Sequence, residues 1–188
     1  MKSLQDNMQE MLYNEYEVKR QYASYEFFSK LIMDNIHTKT ICPIVVSLGC
    51  CAGFGTKILS NMSGSAVIGI CKSKESFDYA SMNFSARNIA YACEDLEKYV
   101  KKMSIHDYVV SRGNIDIETA KKVKFRQMLI FDVEYEPNIE VKLSETFEYC
   151  DLYYEDYDGF ITKELPDRPL MMICACKKAV HVKEDVCV

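Results

Sequence analysis

No stretch of this 188-residue chain approaches the about 20 consecutive apolar residues that a membrane helix needs. Its opening segment, MKSLQDNMQEML, lacks the apolar core of a secretory leader, so the sequence predicts a protein that is not exported. Positive charge is in deficit: 28 acidic side chains against 23 basic ones give a net charge of −5. Nothing in that balance draws the chain to nucleic acid. No two of its nine cysteines stand as C-x-x-C, which argues against a zinc ribbon and a thioredoxin-type redox site. The number is odd and most cysteines sit inside apolar runs, as reduced core thiols of a cytoplasmic protein do. Internal repeats, low-complexity tracts and dividing linkers are also missing.

What is present is globular: 48% hydrophobic and 27% charged residues, in a length that suits one domain. Residues 1–37 read as a helical cap. Leu4, Met8, Met11, Leu12 and Tyr16, then Tyr25, Phe28, Ile32 and Ile36, recur at helical spacing, as one helix or as two broken near Arg20–Ser24. So many apolar positions must cover something, either a pocket or a second subunit, homo- or hetero-oligomeric. Residues 38–180 then alternate short β-branched runs with helical stretches. Strands are expected at Ile44–Leu48, Ala66–Cys71, Ile89–Cys93, Asp107–Ser111 and Gln127–Val133, with Ser73 capping one of the intervening helices. Cys150–Tyr157 and Leu170–Lys178 are joined too tightly for a helical crossover and should pair as an antiparallel hairpin. The expected fold is α/β, a Rossmann-like, mostly parallel sheet with a C-terminal hairpin and an N-terminal helical extension. Residues 181–188 are left as a tail.

In an open parallel sheet, ligands bind beyond the carboxyl ends of the strands where the strand order reverses. Gly49-x-x-x-Gly53-x-Gly55 stands just after the first strand and before a helix, where glycine permits close backbone approach and the helix start offers free N–H groups. A tight strand–helix turn can also need glycine for purely structural reasons.

The stretches VVSLGCCAGFGTKILS, AVIGICKSKESFDYASMNF and IAYACEDLEKY resemble the first three βα units of class I S-adenosylmethionine-dependent methyltransferases. They are most similar to members associated with sugar and surface-polysaccharide pathways, whose motif reads acid-x-G-C-G-x-G-x-G-T. Tyr25-Glu26-Phe27 matches the aromatic segment of the preceding helix, and His106–Ser111 the fourth strand, so the likeness spans most of residues 22–178. It implies S-adenosylmethionine as cofactor, held by Gly49, Cys50, Gly53, Gly55, Cys71 and Ser111, with Asp95 (beside Glu94) reading the adenine. Three positions depart from the pattern. Ser47 replaces the acid before the turn, Cys51 replaces the middle glycine, and Cys71 replaces the acid that holds the ribose diol.

Strand ends facing the pocket supply the other candidates. Glu134 and Glu136 are the candidate catalytic bases, and Arg112 and Asn114 the candidate acceptor-positioning residues. Exposed loop charge accounts for the same residues without chemistry. His37, His106 and His181 are not placed for catalysis, and no metal is expected. Aligning Asp156-x-Asp158-Gly159 to a calcium loop puts Tyr154 and Leu165 at its first and last ligands, so the acidic stretch reads as a solvated edge.

Two functions fit. One is a methyltransferase of a sugar or other small molecule; the other is a catalytically inactive methyltransferase-like subunit or scaffold with a partner protein. A left-handed Cys51 would mark a remodelled turn, and room beside Cys71 would favour the enzyme. If adenosine lies on the second strand, Cys71→Asp should tighten cofactor binding roughly ten- to a hundredfold, the weight of a charge-assisted hydrogen bond. Isothermal titration with unchanged affinity would place the ribose elsewhere.

Overall fold

The computed structural model describes residues 15–36, 42–136 and 138–177. The expectations on Leu4 to Leu12, His37, His181, Cys187 and the 181–188 tail lie outside these residues. Glu15–Asp34 forms one uninterrupted helix, α1, running through Arg20–Ser24 without a break. Five strands with four intervening helices follow as expected: β1 (Ile44–Leu48), α2 (Phe54–Ser63), β2 (Ala66–Cys71), α3 (Lys74–Asn83), β3 (Ile89–Cys93), α4 (Leu96–Lys102), β4 (His106–Ser111), α5 (Ile117–Ala120) and β5 (Phe125–Glu134). Helix α6 (Ile139–Thr146) and strands β6 (Tyr149–Asp156), β7 (Ile161–Thr162) and β8 (Pro169–Lys177) complete the chain.

The eight strands make one sheet in the order β3-β2-β1-β4-β5-β8-β6-β7. β1 pairs in parallel with β2 on one side and β4 on the other. The strand order therefore reverses between β1 and β4, which opens a crevice at their carboxyl ends. β8 runs antiparallel between β5 and β6, with Asp132 opposite Ile173 and Leu152 opposite Cys174. The expected hairpin is thus present, with the short β7 added on the outer side of β6.

β1 is buried on both faces, as its apolar run requires. Val46, Leu48 and Val109 pack with α4, α5 and α6 through Leu96, Val100, Ala120, Ile139 and Leu143. Val45, Tyr108 and Val110 pack with α1 and α2 through Phe28, Ile32, Ile58 and Leu59. The helix starts are capped by their own residues: Ser73 accepts from the Ser76 N–H at 3.1 Å, Asp95 from the Lys98 N–H at 3.0 Å and Asp116 from the Thr119 N–H at 2.7 Å.

Helix α1 is tied to the sheet by charge as well as by apolar contact. Glu155 on β6 is fully buried and accepts from Arg20 Nε of α1 at 3.1 Å. Its two oxygens also receive the guanidinium of Arg112, just after β4, at 3.0 and 3.2 Å. Arg112 reaches on to Asp132 of β5 at 2.8 Å. Two guanidinium groups and two carboxylates thus join α1, β4, β5 and β6 in one buried network. Removing one partner of a buried ion pair costs about 3–5 kcal/mol, because the remaining charge has no water to turn to. Glu155→Gln keeps the shape and removes the charge, and it should lower unfolding free energy by about 3 kcal/mol in urea titration. A loss below about 1 kcal/mol would mean that water screens the network.

Candidate functional site

The chain leaves β1 through a turn in which three residues are left-handed: Gly49 at φ 70°, Cys51 at 43° and Gly53 at 86°. Gly53 then starts α2 without a side-chain cap. The Cys50 N–H donates to Ile70 O at 3.0 Å and the Gly53 N–H to Cys50 O at 2.8 Å, which pin the turn to β2 and to itself. Each glycine is pressed by a different element. A Cβ on Gly49 would overlap the side chain of Asn114, whose Nδ2 donates to Gly49 O at 3.1 Å. A Cβ on Gly53 would stand 2.7 Å from Ala80 Cβ and 2.8 Å from Tyr91 Oη. One on Gly55 would run into the ring of Tyr25 from α1.

Above the turn lies a cavity of about 420 Å³. Gly49, Cys50, Cys51 and Gly55 form one wall, Arg20 and Tyr25 of α1 another, and Arg112, Asn114 and Asp132 a third. The described part of α1 therefore covers this pocket. A second cavity, about 790 Å³, opens between α5 and α6 and shares Gly113, Asp132 and Met171 with the first. Glu134 and Glu136 line this second cavity, both exposed, with Glu136 3.5 Å from Lys142.

Asp132 is the carboxylate that touches both cavities. It is 2% exposed and accepts from the Gly113 N–H as well as from Arg112. Burial raises its pKa, while Arg112 and the Gly113 N–H work in the opposite direction. Burial also opposes the charge on Arg112, but Asp132 and Glu155 together overcome it and raise its pKa. Tyr25 is buried beside them with its phenol pKa pushed up, chiefly by that burial. The sequence pointed to Glu134, the last residue of β5, and to Glu136 beyond it, and did not single out Asp132, the buried carboxylate between the two cavities. Its signal was there: an acid inside the apolar run Met128–Val133 must be paired or functional.

At the end of β2 the arrangement differs. Cys71 is fully buried, does not line the cavity, and has its Sγ 2.9 Å from Cys50 Sγ. The contact with Cys50 lowers the Cys71 thiol pKa and raises that of Cys50. Ala80, Phe77 and Tyr91 close around the pair, and the Tyr91 hydroxyl donates to Phe84 O at 3.1 Å. Asp95 serves as the cap of α4, and Glu94 pairs with Lys102 at 2.6 Å. Ser111 is buried beneath the turn with its hydroxyl toward Leu48 O at 3.5 Å. Ser47 is buried too, and its hydroxyl finds no partner among the described residues. His106 opens β4, 3.2 Å from Ser104, at the end of the sheet away from the turn.

The sequence matches no family model and no curated protein. Solved structures do match. The chain superposes on a TehB-like SAM-dependent methyltransferase from Corynebacterium glutamicum with a TM-score of 0.57 at 15% identity, over 80% of this chain and 87% of that one. It superposes on the plantazolicin methyltransferase BpumL, solved with a triazolic desmethylPZN analog and SAH, with a TM-score of 0.60 at 13% identity, over 94% and 90% of the two chains. A SAM-dependent methyltransferase from Agrobacterium tumefaciens gives 0.56 at 12% identity, over 85% and 62%. The fold is that of the class I S-adenosylmethionine-dependent methyltransferases.

Within this fold the described residues would offer a cofactor two unlike ends. The left-handed glycine turn opens onto the cavity of about 420 Å³. The end of β2 offers a thiol already facing another thiol, where a diol calls for an acceptor of two hydrogen bonds. Gly53 carries a constraint of its own: Gly53→Val would strain a left-handed backbone against Ala80, so any loss of binding in that variant would include loss of fold. Gly55 gives the cleaner probe. Gly55→Ala should destabilise the protein by about 1–3 kcal/mol through its clash with Tyr25. Most of that cost should vanish in a Tyr25→Ala background, and a double-mutant cycle showing strict additivity would refute the contact.

Proposed function

We propose that the chain is an S-adenosylmethionine-dependent methyltransferase acting on a sugar or other small molecule. The observation that carries this reading is the cavity over the left-handed turn, at the reversal of strand order, with a buried carboxylate on its far wall. When bound, the cofactor supplies a methyl group on a positively charged sulfur, open to in-line displacement. Gly49, Gly53 and Gly55 keep the backbone bare beneath it, Cys50 and Cys51 line its side, and Ser111 supports the turn from β4. Cys71 and Asp95 stand at the nucleoside end. The acceptor enters from the larger cavity, which adjoins the first at Gly113, Asp132 and Met171.

Asp132 takes the acceptor's proton in this reading. A carboxylate whose pKa burial has raised is a stronger base than a solvated one. Arg112 fixes its orientation from one side and the Gly113 N–H from another. Asn114 and Arg112 position the acceptor, and Glu134 and Glu136 form its entry rim. A reducing setting, the cytoplasm, suits the free thiols among the described residues.

Two observations favour the second reading, a methyltransferase-like subunit without chemistry that works with a partner protein. Cys51 adopts the left-handed backbone that a glycine would take freely, and Cys71 leaves no room at its side. Titration calorimetry on reduced, folded protein separates the two. The enzyme reading expects micromolar binding of both S-adenosylmethionine and S-adenosylhomocysteine, followed by methyl transfer in a screen of small-molecule acceptors. No heat up to millimolar ligand would leave the scaffold.

A further inference from the structure

Three thiols, Cys50, Cys51 and Cys71, meet at the turn, and two of them touch. Cys50 Sγ lies 2.9 Å from Cys71 Sγ, in an apolar nest of Ala80, Phe77 and Tyr91. The two backbones are held independently in this relation: Cys50 N–H bonds to Ile70 O, and Cys71 O accepts from the Glu94 N–H. The backbones are thus fixed, while each thiol remains free to turn about its own Cα–Cβ bond. Cys50 is among the residues that line the cavity, whereas Cys71 is fully buried and does not line it. A cavity-lining cysteine with a second, fully buried thiol at contact distance is the arrangement of an oxidisable pair.

We propose that Cys50 and Cys71 form a reversible disulfide when the protein meets a hydroperoxide, and that the bond closes the nucleoside end of the cavity. The Cys50 sulfur attacks the terminal peroxide oxygen as its proton leaves. The O–O bond breaks, Cys50 becomes a sulfenic acid, and the leaving oxygen takes up a proton as water or an alcohol. Cys71 sulfur then attacks Cys50 sulfur; the S–S bond forms, the S–O bond breaks, and hydroxide leaves with the Cys71 proton as water. Two thiols are oxidised and one hydroperoxide is reduced.

The gating half of the proposal rests on the methyltransferase reading. A ribose seated against the end of β2 requires the two sulfurs to part, which reduced thiols can do and a disulfide cannot. Oxidation therefore lowers cofactor affinity, and a thiol reductant restores it.

The experiment treats reduced, full-length protein with hydrogen peroxide, blocks remaining thiols under denaturing conditions, and maps the peptides without reduction. A Cys50–Cys71 cross-linked peptide is expected in wild type and in Cys150→Ser, and it should be missing from Cys50→Ser and Cys71→Ser. The Cys150 variant removes the other close thiol contact, 2.7 Å to Cys176 on the opposite side of the sheet. Cys50 and Cys71 both alkylated in peroxide-treated wild type, at the level of untreated protein, would overturn the proposal. S-adenosylhomocysteine affinity should fall at least roughly tenfold on oxidation and recover with dithiothreitol. Equal affinity before and after would overturn the gating while the cross-link stands. Reduced protein that binds no S-adenosylhomocysteine would overturn the methyltransferase reading, and the peptide map would then judge the disulfide alone.

Discussion

The buried pairing of Arg112 with Asp132 and Glu155 is the constraint from which the rest of the site follows. Arg112 leaves β4 at the crevice, where a long charged side chain would ordinarily turn to water. Here it turns inward, because two carboxylates on neighbouring strands give it partners on both sides. Glu155 in turn takes Arg20, and so fixes the part of α1 that lies over the cavity. A single guanidinium therefore sets the position of the candidate base, the closure of the pocket and the docking of the N-terminal helix. Such networks gain little over apolar packing in net stability, since every charge was taken out of water first. What this one supplies is position: four elements meet in one geometry, with Asp132 held on the wall of both cavities.

Much of the fold was legible in the sequence because it rests on period and punctuation. Short β-branched runs separated by helical stretches identified the five parallel strands, and the tight connection after Tyr157 identified the antiparallel close. Helix α6 escaped because its signal is slight. Ile139 and Leu143 are its buried positions, one turn apart, and Asn138 begins it in a left-handed conformation with no side-chain cap. β7, only two residues long, has no pattern of its own and exists through its pairing with Tyr154 and Glu155. The continuity of α1 through Arg20–Ser24 is likewise set by what lies beneath it, where Arg20 reaches Glu155 and Ser24 bonds back to Arg20 O.

The site divided along the same line. The glycine turn was readable, since glycine spacing after a strand is a local fact. The acid that faces both cavities was not sought inside a strand, where Asp132 occurs; the acids chosen instead were the exposed ones at and beyond the strand's end, Glu134 and Glu136. Burial decides this difference. A loop carboxylate is well solvated whatever its neighbours, while one in an apolar strand must have been brought there by partners that only the tertiary fold supplies. The fate of Cys71 was equally hidden, since nothing in the sequence says that its thiol would meet Cys50 rather than the open crevice.

The three glycines of the turn carry one more consequence. Asn114, Ala80 with Tyr91, and Tyr25 each occupy the space that a side chain on one of them would need. Selection on folding alone would keep those glycines in place, with no ligand to demand it. In descendants of such a protein the motif would outlive the activity, worn first at the positions that touch only the ligand and last at those wedged among neighbours. A glycine signature in this fold is therefore a record of packing before it is a record of chemistry.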